Sequence, residues 1–136
     1  MGLWNDGPVT VKAGEAITQY ALVMIESGTA VDPPEVVETA GTQNADRAVV
    51  GIAMKAAADG EHFPVWPLSR GGLVKCIAAA ANIARGDKLF SADDGKVTET
   101  TTSETFVGVA WTPSSADGDT ITVLLGAQIY DAVDAT

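Results

Sequence analysis

With 136 residues, the chain is expected to form one domain, and its 32 Leu, Ile, Val and Phe, about a quarter of the total, permit a core. That core is thin, because another 22 of the apolar residues are alanine. Eight Lys and Arg against 18 Asp and Glu leave a formal charge of −10, which disfavours nucleic acid and anionic membrane surfaces, since both are bound through basic side chains.

Met1–Pro8 holds Leu3 and Trp4 among Gly, Asn, Asp and Pro, and reads as an extended arm. Val9–Val11 opens a β-like segment, and Tyr20–Ile25 is an apolar run closed by Glu26-Ser27-Gly28. The polar stretch Asp32–Asp46, with Pro33-Pro34 and Gly41, reads as an exposed loop. Ala48–Met54 and Val65–Leu68 read as strands on either side of an Asp59-Gly60 turn. Ala78–Ala81 is helix-like in composition but below the nucleation length. Gly71-Gly72 precedes it and Gly86 follows, so a strand running into a loop is expected, with a single helical turn as the alternative. Leu73–Ile77, Lys88–Ser91, Lys96–Thr98, Phe106–Trp111 and Thr120–Leu125 complete the predicted strands, and residues 127–136 form a tail. The 36 Val, Ile and Thr favour pleated surfaces. Short strands at regular spacing argue for a barrel or sandwich, so the fold class is all-β.

No apolar run exceeds Cys76–Ala81, far short of the ~20 residues that span a bilayer. The first ten residues lack the regions of a secretory signal, and the expectation is a soluble protein made in the cytoplasm.

The chain repeats itself. Ala13–Val31 aligns with Ala79–Val97 at an offset of 66, matching Ile17 to Ile83, Val23 to Leu89 and Val31 to Val97. Val50-Gly51-Ile52-Ala53 aligns with Val107-Gly108-Val109-Ala110 at 57, and Ala58-Asp59-Gly60-Glu61 with Ala116-Asp117-Gly118-Asp119 at 58. The change of offset locates a nine-residue insertion in the first copy, within Asp32–Asp46. Two units of about sixty residues, over residues 9–68 and 73–125, are each too small to bury their own face and are expected to pack as one β domain over 9–126.

No catalytic, cofactor or metal constellation emerges. His62 is the only histidine and Cys76 the only cysteine, too few for a metal site and no nucleophile–base pair by spacing. Cys76 sits on an apolar phase of its strand and reads as a small buried hydrophobe. Asp93-Asp94-Gly95 and Asp117-Gly118-Asp119 lack the alternating ligands of a calcium loop and read as turns. No acid pair lies in the aromatic-rich setting that glycoside hydrolysis uses, and Gly71-Gly72 is no phosphate cradle. Trp66 and Trp111 fall at related places in the two repeats and read as core or rim packing. Trp4, in a polar arm, reads as an interface anchor beside Leu3, with Val9 and Val11 extending a neighbour's sheet edge.

The series Gly14-Glu15-Ala16-Ile17, Val50-Gly51-Ile52-Ala53, Gly86-Asp87, Gly95-Lys96-Val97, Val107-Gly108-Val109-Ala110 and Val123-Leu124-Leu125 resembles the capsid cement, or head decoration, proteins of tailed bacteriophages. These are similar in architecture to the lambda-type head decoration protein. The resemblance spans Val9 to about Gly126. It implies a β-tulip or β-clip-like barrel and no enzymatic activity. It also implies a homotrimer on the outer surface of the virion, in contact with the major capsid protein. The alternatives are a β-clip module of a bacterial enzyme or sugar-binding protein, which Val11–Ile17 also resembles, and a phage fibre or spike domain.

Overall fold

The computed structural model describes residues 8–26, 34–39, 49–99 and 105–125. They form ten strands: β1 (Val9–Ala13), β2 (Leu22–Ile25), β3 (Glu35–Glu38), β4 (Val49–Ala53), β5 (His62–Pro67), β6 (Gly72–Ile77), β7 (Lys88–Ser91), β8 (Val97–Thr98), β9 (Phe106–Ala110) and β10 (Thr120–Leu125). Two 3-10 turns, Leu68–Arg70 and Asp93–Gly95, are the helical elements among the described residues, so the all-β class holds. After β6, Ala78 makes one bridge to Val97 and the chain bends, as expected of a strand entering a loop.

β1, β3, β2, β4 and β5 close into a barrel. Its one parallel pairing joins β1 to β3, with Ala13 opposite Val36. The second sheet runs β6-β10-β9-β7-β8, and the parallel bridge Ala78↔Val97 draws its ends together. With that bridge standing for the β1–β3 pairing, the strand order is the same in both, with β6, β7, β8, β9 and β10 standing for β1, β2, β3, β4 and β5. Register agrees as well. Val23 faces Gly51 as Leu89 faces Gly108, and both pairs are followed by a break in register. Ala13 N–H donates to Glu61 and Ala78 N–H to Asp119, both at 2.8 Å.

The glycine in each Val-Gly-Ile/Val-Ala motif is a steric necessity. A Cβ on Gly51 would lie 2.0 Å from the Trp66 carbonyl oxygen, and one on Gly108 2.2 Å from that of Leu124.

The structure corrects the repeat alignment in three places. Ala13 corresponds to Ala78, not Ala79, because the second copy carries one more residue in its bend before Ile83. Val97 corresponds to Val36 rather than Val31: both pair with β1 or its counterpart, and both are fully buried. Trp66 corresponds to Leu124 and Trp111 to Met54, so the two tryptophans are not equivalent.

The expected loop at Asp32–Asp46 contains β3. The offset falls from 66 at Ile25/Ser91 to 61 at Val36/Val97 and 57 at Gly51/Gly108, so the extra residues flank this strand on both sides. Only two apolar residues between glutamates mark β3 in the sequence. Pairing on both sides makes it a strand, helped by the Lys12–Glu35 ion pair at 3.5 Å.

Each half has its own interior. Val11, Ile17, Val23, Val36, Phe63 and Val65 belong to the first cluster. Their counterparts Cys76, Ile83, Leu89, Val97, Ile121 and Val123 belong to the second. The second cluster also takes in Leu22 and Ile52 from the outer face of the first barrel, both at most 2% exposed, so the halves share apolar burial. A polar brace adds to this: the buried Thr39 hydroxyl donates to the Ala92 carbonyl at 2.7 Å, and Gly95 N–H donates to the Thr39 carbonyl at 3.2 Å.

Candidate interaction surfaces

Cys76 and the turn carboxylates Glu61 and Asp119 are used structurally. Cys76 stands where Val11 stands in the first half, fully buried, and burial pushes its thiol up to about 12 because the thiolate would lose its hydration. His62 is exposed on β5, opposite Lys12, while Cys76 belongs to the other sheet. Among the described residues no group of three or more His, Cys, Asp or Glu is placed to hold a metal ion.

The Ala-Asp-Gly-acid repeat is a turn held by its last carboxylate. Asp119 accepts from the backbone N–H of Ser115 at 2.8 Å and of Ala116 at 2.9 Å, and from the Ser115 hydroxyl at 3.1 Å. These bonds, the Ser115 N–H first, hold its pKa below the ordinary value. Glu61 accepts from Ala58 N–H at 2.8 Å in the same way. Asp117-Gly118 is thus a turn, as expected, while Asp93-Asp94-Gly95 forms a 3-10 turn with Asp94 in the left-handed region.

The apolar surface is where the molecule is unusual. The exposed large hydrophobics among the described residues are Ile25, Met54, Leu73 and Trp111. Met54 and Leu73 meet in a groove of about 410 Å³ between the halves, walled on one side by Tyr20, Ile52 and Trp66 and on the other by Val74, Lys75 and Thr122. Trp66 packs on the shared core and donates its Nε1–H to the Gly71 carbonyl at 3.0 Å. The Lys75 ammonium lies 5.9 Å from the centre of the Tyr20 ring, within cation–π range.

A second groove of about 400 Å³ lies on the second half alone, between Arg85, Val109, Trp111, Thr112 and Leu124. It is the pseudo-equivalent of the first. Val109 stands for Ile52, Trp111 for Met54 and Leu124 for Trp66, while Gly86 stands for Tyr20 and Lys88 for Leu22. In the first half this face is roofed by β6 and β10. In the second half it is open, and Trp111 is 51% exposed. Sequence reasoning missed this face. Its signal was available in the comparison of the copies, where Leu22 becomes Lys88 but Met54 becomes a tryptophan.

Of the residues expected to touch a partner, Leu3 and Trp4 lie outside the described residues. Val9 is half-buried and pairs with Val65; Val11 is 3% exposed and pairs with Phe63. Val11 has its side chain in the first core and its backbone paired with β5, so within the described fold it presents neither to a partner.

Comparison with known proteins places this pair of related sheets. It superposes on the N base of the head fibre gp8.5 of bacteriophage phi29 with a TM-score of 0.64 and 22% identity, covering 87% of this chain and 92% of that one. At that identity the likeness is one of fold. No curated protein matches the sequence. The family model of phage cement proteins matches residues 5–125, so the chain belongs to the phage cement protein family and is a structural protein of a bacteriophage.

Proposed function

We propose that this protein binds the outer surface of a phage capsid as a homotrimer and cements neighbouring copies of the major capsid protein, with no catalytic role, no cofactor and no nucleic-acid or membrane partner. The family match across both halves carries this reading. The residue-level picture supports it: the solitary thiol is sequestered, and the turn carboxylates are committed to backbone N–H groups. A charge of −10 suits the outside of a DNA-filled shell. In this reading residues 9–126 form the folded unit, 1–8 an attachment arm and 127–136 a tail. Leu3 and Trp4 are the apolar anchors of the arm, and Val9 and Val11 belong to the strand that carries it.

Purified protein added to expanded heads that lack it should bind and raise their disruption temperature. Heads equally stable without the protein, together with its absence from virions, would overturn the reading.

The structural likeness to a head fibre base favours a second reading, in which the same fold seats a fibre on the capsid. Electron microscopy of virions separates the two: a cement shows as a compact knob, a fibre base as the root of a shaft.

A further inference from the structure

We infer that a second copy of this chain docks head to tail on the open face of the second half, presenting to it the outer side of its own β1 and Pro64. The inference deepens the self-association in the proposed function by naming the two faces that meet.

The argument is the internal repeat. Inside one chain, the first half's face of Ile52, Met54 and Trp66 is roofed by Val74 and Lys75 of β6 and by Thr122 of β10. The same face on the second half, Val109, Trp111 and Leu124, has no roof within the described residues. The counterparts of the roofing residues lie on the first half, two of them facing outward. Val9, Thr10 and Pro64 occupy in the first half the places of Val74, Lys75 and Thr122, since Val9 pairs with Val65 and Thr10 with Pro64 as Val74 pairs with Val123 and Lys75 with Thr122. Val9 is half-buried against the first core, Pro64 is half-buried and Thr10 is exposed, so Thr10 and Pro64 are the outward pair. Among the described residues, one chain thus makes the contact once internally and keeps the open face on its second half and Thr10 and Pro64 on its first.

Charge agrees with this pairing. The chain carries 18 carboxylates, yet none lines the open groove, which holds Arg85, and none is present among Val9, Thr10 and Pro64. Two copies of a strongly acidic protein meet here without placing like charges against each other. The exposed Trp111 is the natural anchor of such a contact. Because the two faces differ, the contact is heterologous and closes into a ring when the rotation between copies allows it. A trimer is one such ring.

The test uses the full chain. Sedimentation equilibrium on the wild type should give a discrete assembly at micromolar concentration. Trp111→Glu should weaken that assembly by roughly tenfold or more while circular dichroism and melting remain those of a folded protein. Leu124→Cys and Thr10→Cys proteins should be mixed under mild oxidation, with the buried native thiol as an inert background. They should cross-link to each other, and neither should cross-link to itself. A wild type that stays monomeric overturns the inference, as does a Trp111→Glu variant that assembles normally, or cross-linking of Leu124→Cys to itself. Head binding is measured in parallel. A monomeric wild type that binds heads through Trp111 would assign the face to the capsid protein, ending this inference while leaving the cement reading intact.

Discussion

Tyr20 and Gly86 hold the same left-handed corner in the two halves, at φ 72° and 95°, and each donates its N–H at 2.8 Å, to Ala53 and Ala110 respectively. A non-glycine residue there costs on the order of 1 kcal/mol. The tyrosine is found where its ring packs on the shared core beneath Lys75, and the glycine where the face is open. Tyr20→Ala loses the ring and keeps the strained corner, whereas Tyr20→Gly loses the ring and relieves it. The glycine variant should therefore be the more stable by about 1 kcal/mol in urea denaturation, the reverse of the usual order. An alanine variant of equal or greater stability would show that the corner is unstrained.

Gly51 and Gly108 should tolerate no side chain. A Cβ at either would stand against the backbone of the neighbouring strand, so Gly51→Ala or Gly108→Ala should cost about 3 kcal/mol or more, or part β4 from β5 and β9 from β10. Gly60→Ala is the control. Its φ is +89° but nothing lies within 4 Å of the added carbon, so the cost should be nearer 1 kcal/mol. Equal losses at the two kinds of site, read from thermal melts, would contradict the close approach.

Stability should fall on the acid side partly through Asp119. Its folded pKa lies below the ordinary 3.8 because backbone N–H groups bind the carboxylate. A depressed carboxylate contributes stability that is complete above the unfolded value and lost as pH falls through the folded one. Asp119→Ala should therefore melt below the wild type at neutral pH. The two curves should converge as pH drops below 3.8 and through the folded pKa. A gap in melting temperature that is constant with pH would remove the carboxylate from the explanation.

In the proposed function, residues 1–8 govern attachment rather than folding. Deleting residues 1–8 should leave the β fold intact by circular dichroism and weaken binding to heads. Trp4→Ala alone should cost on the order of 2 kcal/mol of binding if it fills a pocket. Truncated protein that binds heads as tightly as the full chain would transfer attachment to the loops and grooves.

The repeat, the all-β class and most strands were legible in the sequence because they depend on local signals. Thr120–Leu125 alternates buried and less buried residues, and Asp-Gly marks the turns. Glycine at 51 and 108 was visible as a repeated motif, although the reason for it, a carbonyl at about van der Waals collision distance, belongs to the paired strand. The family resemblance rested on the order of such motifs, and the match over residues 5–125 agrees with it. β3 was not legible, because two valines between glutamates carry little hydrophobic signal until both neighbouring strands supply hydrogen bonds. Nor were the grooves. Ile52 and Val109 are near-identical in type and position, yet one is 2% exposed and the other lines an open face. Sequence by itself determined that two like units exist and what each is made of. Only the tertiary structure decided which outer face the partner unit covers, because burial of a face depends on what packs against it and not on the residues that form it.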